Sequence, residues 1–319
     1  MPPVRGVLAI FLTLGVLAQD PPPADGLLSV VAGDSGVSPV AVTHVRDMAQ
    51  RGIARLASVF GGGAERPIHI VVHADATSLP PALRQDLHAG TAGLALLGAD
   101  EIHVLLDEAV REPPNDLGTV VVHELVHTLL DQHVGAAGPY VPRWVHEGLA
   151  QALSGGPYLG VQDENLLFAV GTRTAFRFSE LERGFPRRDD LLRLAYAQSY
   201  SFVAYLVDRV GAADVVEAAR RCSAEREFHV GLYEVTQTTQ ARFQEEWEDY
   251  LFYGSGALPR FLLRNCFSFV IILAVPLLTI AVLKRVRRNR WRKAQLAIED
   301  QLRDDAANAP EPIEVEDQA

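Results

Sequence analysis

Two histidines and a glutamate stand close together near the middle of the chain, in the order His-Glu-x-x-His. They are His123, Glu124 and His127. On an α-helix, a separation of four residues places both imidazole rings on one face, about one turn apart, where they can bind one metal ion. Glu124 follows the first histidine and can act as a general base beside the metal. The pattern therefore predicts a site for metal-assisted hydrolysis.

The residues around this motif predict a buried helix over 117–134. Most of them are apolar, Asn115 or Asp116 can serve as the N-cap, and Gly135 follows the last turn. Buried histidines and a buried glutamate need polar partners, and a bound cation supplies one. The alternative is a structural pair of histidines without metal, because so short a pattern also arises by chance.

A catalytic zinc site needs three protein ligands and one open position. One candidate for the third ligand is His133, which follows His127 at the spacing of the third histidine in metzincins. That arrangement needs a glycine at the position of Leu130 and a methionine downstream of the site, whereas Met1 and Met48 both lie upstream. We therefore expect His133 to lie at the end of its helix, near the C-terminal dipole, rather than at the metal.

The other candidate is Glu147, in the sequence Trp-Val-His-Glu-Gly-Leu-Ala at residues 144–150. Pro142 favours the start of a helix, which is predicted to run over 142–154. The short connection after Gly135 allows this helix to fold back against the first one. Glu147 can then approach the histidine pair from a neighbouring helix.

Together, the His-Glu-x-x-His motif and the Trp-x-x-Glu-Gly-x-Ala helix resemble the gluzincin metallopeptidases, and most closely the peptidase-MA-like group. The resemblance covers about residues 67–253. It implies that His123, His127 and Glu147 bind one Zn²⁺ per chain. It also implies that Glu124 is the general base, which activates a zinc-bound water to hydrolyse a peptide bond. Endopeptidase and exopeptidase action both remain open.

One departure from the thermolysin-like pattern concerns the partner of a ligand histidine. Those enzymes have an aspartate four residues after the ligand glutamate, whereas this chain has Gln151. The amide oxygen of Gln151 can accept a hydrogen bond from an imidazole, but less strongly than a carboxylate. Asp116 and Asp131 are the alternative partners. His146 precedes the ligand glutamate and points about 100° away from it on the helix, which predicts a position on the surface or behind the ligands.

Gluzincins use a tyrosine or a histidine from their helical lobe to stabilise the oxyanion, and Tyr196 lies in the matching region here. Tyr196 is therefore the candidate, with Tyr200 one turn later, and a packed helix aromatic is the alternative for either. The strand predicted over 102–106 precedes the site helix, and in this fold class such a strand is the edge that pairs with an extended peptide. His103 on this strand is expected to be exposed.

The order of the elements predicts an α+β fold, in which a helical lobe follows a small sheet, as in a thermolysin-like, gluzincin catalytic domain. This domain is expected over 40–258. Its predicted elements are a helix over 40–60, a strand over 67–74, a helix and loop over 77–93, a strand over 101–107, the two site helices, and the helical lobe over 190–253.

Both ends of the chain carry patterns of export and membrane insertion. Residues 1–18 contain one basic residue and an apolar run that ends in small residues. They predict a cleaved signal peptide, with an uncleaved anchor as the alternative. Residues 19–39 are rich in Pro, Gly, Ser and Asp and predict a flexible lead-in. Residues 266–283 are uncharged and predict one transmembrane helix.

The tail over 284–319 is first basic and then acidic. Seven of its first ten residues are Lys or Arg, and positive charge is retained on the cytoplasmic side of a membrane. The acidic part over 294–319 predicts a disordered segment. We therefore expect a single-pass protein of the cell membrane, with its catalytic domain exported to the periplasmic or extracellular side and its tail in the cytoplasm.

Composition narrows the function further. The formal net charge of -11 argues against nucleic acid as a partner, and two cysteines exclude a disulfide scaffold. The expected partners are a peptide or protein substrate and the membrane, and no pattern indicates an oligomeric state. The alternative function is a catalytically inactive binding or assembly module tethered to the membrane. Glu124 argues against it, because a purely structural metal site has no need of a base.

Overall fold

The structure, a computed structural model, describes residues 26–85, 87, 91–111, 116–155, 163–254 and 256–307. The predicted signal peptide, the first residues of the predicted lead-in and the end of the tail lie outside the described residues. Contacts divide the chain into two compact units, Met1–Leu258 and Pro259–Ala319.

Four strands form one mixed sheet in the first unit. They are β1 (Leu28–Ala32), β2 (Ile68–His73), β3 (Gly93–Leu96) and β4 (Glu101–Leu105). Their order across the sheet is β1-β2-β4-β3. β2 pairs in parallel with both β1 and β4, and β3 pairs antiparallel with β4. β3 is therefore the edge of the sheet beside β4.

Two predictions about these strands are wrong. The stretch 19–39 is not flexible throughout, because β1 pairs with β2 along its whole length. β3 lies in a stretch for which, beyond Gly93, the sequence makes no prediction. β4 is not an edge, since it pairs with β2 on one side and with β3 on the other. Short strands such as β1 and β3 owe their stability to cross-strand pairing more than to local propensity, so their own residues signal them weakly.

Helices make up most of the remaining described chain, and the combination confirms the predicted α+β class. The helices are α1 (Pro39–Leu56), α2 (Pro81–Arg84), α3 (Leu106–Arg111), α4 (Leu117–Val134), α5 (Arg143–Ser154), α6 (Asp163–Gly171), α7 (Asp189–Val210), α8 (Ala212–Arg220), α9 (Phe228–Thr236), α10 (Gln240–Asp249), α11 (Ala257–Arg264) and α12 (Cys266–Ala307).

The helix that carries the histidine motif, α4, begins and ends at residues suited to those positions. The Asp116 side chain accepts a hydrogen bond from Thr119 N and caps the first turn. Gly135, with a φ of 54°, ends the last turn. α4 and α1 pack on one face of the sheet, where Ile70, Val72 and other inward side chains are fully buried. This packing fixes α4 against the sheet.

α5 lies between α4 and α7, and it contacts both. A Cβ at Gly148 would lie 2.7 Å from the Ser199 carbonyl oxygen and closer still to Val203. Only glycine therefore allows α5 and α7 to approach this closely. On the same helix, Trp144 packs against Phe178, Phe202 and Phe228 in the core of the helical lobe. These contacts set the position of Glu147 relative to α4.

The second unit contains α12, which is one continuous helix of 42 residues. Its apolar part is long and hydrophobic enough to cross a membrane, with a mean hydropathy of 2.8 and none of it buried. The helix continues through the basic segment to Ala307, so the disorder predicted from residue 294 is wrong as far as that residue. Residues 294–307 include four Ala, two Leu and two Gln, which favour helix despite the polar composition.

Candidate metal centre

α4 and α5 bring three donor side chains together. Nε2 of His123 lies 3.3 Å from Nε2 of His127. Oε2 of Glu147 lies 3.7 and 3.6 Å from these two nitrogens. Ligand atoms about 2.0–2.1 Å from a tetrahedral zinc ion are separated by about 3.3 Å, so the donors fit one such ion with little movement. No other group of three His, Cys, Asp or Glu donors is this compact among the described residues.

The surroundings of these donors favour a negatively charged glutamate next to two imidazoles. The side chains of His123, His127 and Glu147 are 4%, 11% and 12% exposed. Burial alone would raise the pKa of Glu147, but the two neighbouring histidines and the charge of Arg143 outweigh it and hold the pKa well below its ordinary value. A carboxylate and two neutral imidazoles are the ligand set that zinc prefers in catalytic sites of this kind.

Glu124 lies on α4 with its carboxyl group against β3. A Cβ at Gly93 would lie 2.7 Å from Oε1 of Glu124, so the missing side chain of this glycine makes room for the carboxyl group. The Ala95 backbone N–H donates a hydrogen bond to it. Burial raises the pKa of Glu124 to about 7, while His127 opposes the rise and Glu147 adds to it. Glu124 can therefore take up and release a proton near neutral pH.

Arg143 contacts Glu147 from one turn earlier on α5. Its Nε lies 3.5 Å from Oε1 of Glu147, the oxygen that is not directed at the histidines. The guanidinium group also interacts with the Tyr196 side chain and lies 5.1 Å from the centre of the Phe185 ring. Arg143 is not among the site residues predicted from the sequence, although its i, i+4 spacing to Glu147 is the signal that could have identified it.

The two tyrosines predicted as candidates lie in different surroundings. Tyr196 is buried, packs edge-on against Phe185 with ring centres 5.0 Å apart, and reaches Glu147 through Arg143. Tyr200 lines a separate cavity of about 260 Å³ with Tyr205 and other residues of the helical lobe. The structure thus places Tyr196 beside Arg143, which contacts the donor Glu147.

Gln151, Asp116 and Asp131, the candidate partners of a ligand histidine, each make a contact that supports the fold. The Gln151 amide group donates hydrogen bonds to the carbonyl oxygens of Glu147, at 3.1 Å, and Tyr196, at 3.4 Å, and so ties α5 to α7. Asp116 caps α4. Asp131 accepts a hydrogen bond of 2.9 Å from Gly98 N. These contacts give all three residues structural tasks.

Two further histidines lie on the site helices, and only one is near the donors. His133 packs against Phe60 and lies 3.6 Å from Glu65, outside the donor group, as its position at the helix end predicts. His146 is buried, with its ring centre 6.0 Å from that of His127. Burial and the nearby His127 lower the pKa of His146 to about 3, so His146 is a neutral neighbour of the donor group.

His103 on β4 is not exposed, which corrects the prediction from the sequence. It is 3% exposed, and its Nδ1 lies 3.0 Å from Nε2 of His73 on β2. Its other ring nitrogen lies 2.9 Å from Oε1 of Glu101. His103 is buried because β4 is an interior strand, so its side chain is flanked on both sides.

The fold and this donor arrangement together define a peptidase-like hydrolase domain. The model of the Peptidase MA superfamily matches residues 48–252, which include both site helices and most of the helical lobe. The chain belongs to this superfamily. No curated protein and no solved structure matches the chain.

Proposed function

We propose that this protein is a membrane-anchored, zinc-dependent metallopeptidase that hydrolyses peptide bonds outside the cytoplasm. One observation carries the proposal: three donors, two from α4 and one from α5, meet at one point beside a buried carboxyl group. His123, His127 and Glu147 would hold the ion, one per chain. A structural metal site does not require Glu124, whereas a hydrolytic site does.

The residues of the site have separate tasks in this proposal. A bound zinc ion would polarise the scissile carbonyl group and make a neighbouring water more acidic. Glu124 accepts the proton of the attacking water and returns it to the leaving amine, for which a pKa near neutrality is suitable. Tyr196 is the candidate donor to the oxyanion.

β3 is the proposed binding edge for an extended peptide. Leu105 N donates to the Ala92 carbonyl oxygen, and hydrogen-bonding pairs alternate along an antiparallel ladder. The backbone groups of Gly93 and Ala95 therefore point away from β4, toward the side on which Glu124 lies. A peptide paired with β3 would place its own backbone carbonyls close to the general base.

Arg143 is the proposed positioning residue for Glu147. Because the guanidinium group binds Oε1, the other carboxylate oxygen stays directed at the histidine pair. The same guanidinium group interacts with Tyr196 and so couples the position of the third ligand to that of the oxyanion donor.

The charges that follow the apolar part of α12 support the proposed location of the domain. Seven cations follow the apolar part of this helix, which favours a cytoplasmic position for residues 284–293 and an exported position for the domain that precedes the span. Protease treatment of sealed cells tests this orientation, since only an exported domain would be digested from outside.

The test of the catalytic proposal compares the wild-type chain with Glu124→Gln. Glutamine keeps the size of the side chain but cannot act as a base. We expect hydrolysis of a peptide library to fall by at least about 10²-fold, while the chain still binds one zinc ion. His133→Ala is the matched control, and it should retain both zinc and activity. Equal rates for wild type and Glu124→Gln would show instead an inactive module that binds peptides or partner proteins.

A further inference from the structure

The basic segment of α12 extends a membrane-spanning helix without a break. The uncharged part, Cys266–Leu283, has a length of about 27 Å at the helical rise of 1.5 Å per residue, close to the thickness of a hydrocarbon core. The charges therefore begin where lipid headgroups begin. The seven cations are Lys284, Arg285, Arg287, Arg288, Arg290, Arg292 and Lys293.

These cations lack acidic partners within the part of the chain that the structure describes. All seven side chains are exposed, and no ion pair among the described residues involves them. The first acidic residue after them is Glu299, which lies about 9 Å further along the helix from Lys293. Such a concentration of charge next to a membrane requires anions from outside the chain.

The cations also surround the helix. At 100° per residue, their seven directions leave no gap wider than about 80° around the axis. A helix that lies flat on a membrane collects its cations on one face, opposite an apolar face. A ring suits a helix that passes upright through the headgroup layer, because anions then lie on every side. We call residues 284–293 the basic ring.

We propose that the basic ring binds the phosphate groups of anionic lipids and selects these lipids as the shell around this end of the span. Five of its seven cations are arginines, whose planar guanidinium groups bind phosphate oxygens in pairs. The proposal is independent of the peptidase activity, since it concerns only the second unit.

Trp291 provides a reporter inside the basic ring. It is 67% exposed, whereas Trp144 and Trp247, the other tryptophans of the chain, are each 1% exposed in the core of the first unit. The full chain is reconstituted in vesicles of phosphatidylcholine that contain a minority of phosphatidylglycerol, with bromine, a fluorescence quencher, on either lipid. We expect brominated phosphatidylglycerol to quench Trp291, per molecule, at least about threefold more than brominated phosphatidylcholine. Trp291→Phe should abolish the lipid-dependent quenching.

Two variants separate the basic ring from the rest of α12. Replacing Arg285, Arg287 and Arg288 together with glutamine should bring the quenching ratio close to one. Arg303→Gln is the control, because Arg303 lies beyond the ring on the same helix, where it approaches Asp300. It should leave the ratio unchanged. Molar salt should also lower the ratio in the wild type, since it screens the charges.

Several results would overturn the proposal. Equal quenching by the two lipids in the wild type would show no lipid selection, and an unchanged ratio in the triple variant would place the selection elsewhere. If inorganic phosphate abolished the ratio while chloride of the same ionic strength did not, the ring would bind free phosphate rather than headgroups. Binding of an oligonucleotide to the chain in detergent, together with a ratio of one in vesicles, would indicate nucleic acid.

Discussion

Among the described residues of this domain, two pairs of buried histidines have ring nitrogens 3.0–3.3 Å apart, and only one pair has the geometry of a metal site. On α4, the closest ring nitrogens of His123 and His127 are 3.3 Å apart, and the rings are nearly perpendicular at 81°. Across β2 and β4, those of His73 and His103 are 3.0 Å apart, and the rings are stacked at 29°. Burial and spacing alone do not separate the two pairs.

The third donor separates them. Glu147 places one oxygen 3.6–3.7 Å from both Nε2 atoms of the helix pair, so three donors converge on one point. Glu101 contacts His103 through the ring nitrogen that faces away from His73, so the sheet groups form a line. Donor atoms that converge on one point can bind a cation, whereas groups in a row can form a chain of hydrogen bonds. The comparison indicates that a carboxylate from a second element distinguishes the candidate metal site from a pair of buried histidines.

The strongest test of this comparison removes one ring from each pair. His123→Ala should weaken zinc binding by more than about 10³-fold, because two ligands rarely hold zinc in competition with a chelator. His103→Ala is the matched variant and should keep one zinc ion per chain with nearly unchanged affinity, while it lowers the free energy of unfolding. Competition with a fluorescent chelator measures the affinities. Comparable loss of zinc in both variants would show that the sheet pair also binds metal.

A smaller effect on zinc affinity is expected when Arg143, which contacts Glu147, is replaced. Arg143→Ala should weaken zinc binding by about 10–100-fold, the usual range for groups that orient a metal ligand. Arg143→Lys should restore part of the affinity, because the ammonium group keeps the charge but lacks the planar fork. The same chelator assay applies, without any need for activity. An unchanged affinity in Arg143→Ala would assign Arg143 to the surface rather than to Glu147.

We expect the pair of His73 and His103 to affect the pH dependence of stability rather than the binding of zinc. Burial and the neighbouring His103 lower the pKa of His73 from its ordinary value of 6.5, while Asp34 and Glu101 oppose the shift. The unfolded chain therefore binds more protons. The contribution of His73 to the free energy of unfolding is fully present above pH 6.5. It is lost as the pH falls from 6.5 toward the pKa of His73 in the folded chain, by at most about 1.4 kcal/mol per pH unit.

His73→Gln removes this titrating group and keeps a polar side chain opposite His103. Urea unfolding of the metal-free chain, at several pH values between about 5.5 and 7.5, should give a shallower pH dependence for the variant than for the wild type. Other histidines contribute equally to both chains, so the difference in slope belongs to this pair. Identical slopes would contradict the depressed pKa of His73.

Local sequence patterns predicted the pair of histidines on α4 well. The bounds of α4, an N-cap at Asn115 or Asp116, and the shared face of His123 and His127 all follow from residues within a few turns, and the structure assigns the cap to Asp116. Glu147 required the resemblance to a family, because a connection between two helices does not specify how they pack. Gly148 belongs to the Trp-x-x-Glu-Gly-x-Ala motif, but the sequence does not explain why this position is glycine. The structure shows that glycine allows α5 to approach α7.

Long-range pairing explains what the sequence did not predict. His103 is buried because β4 lies between β2 and β3. The residues of β4 alone do not determine which strands pair with it. β1 and β3 are short, and each is stabilised by a neighbour distant in the chain. The extension of α12 to Ala307 is different, since local helix propensity does predict it, but composition alone suggested disorder.

The most direct test of the central claim is the zinc content of the full chain and two single variants, Glu147→Ala and His133→Ala. After dialysis against a weak chelator, the wild type and His133→Ala should each retain one zinc ion per chain, and Glu147→Ala should retain almost none. Retention of zinc by Glu147→Ala together with its loss from His133→Ala would contradict a metal site that joins α4 to α5.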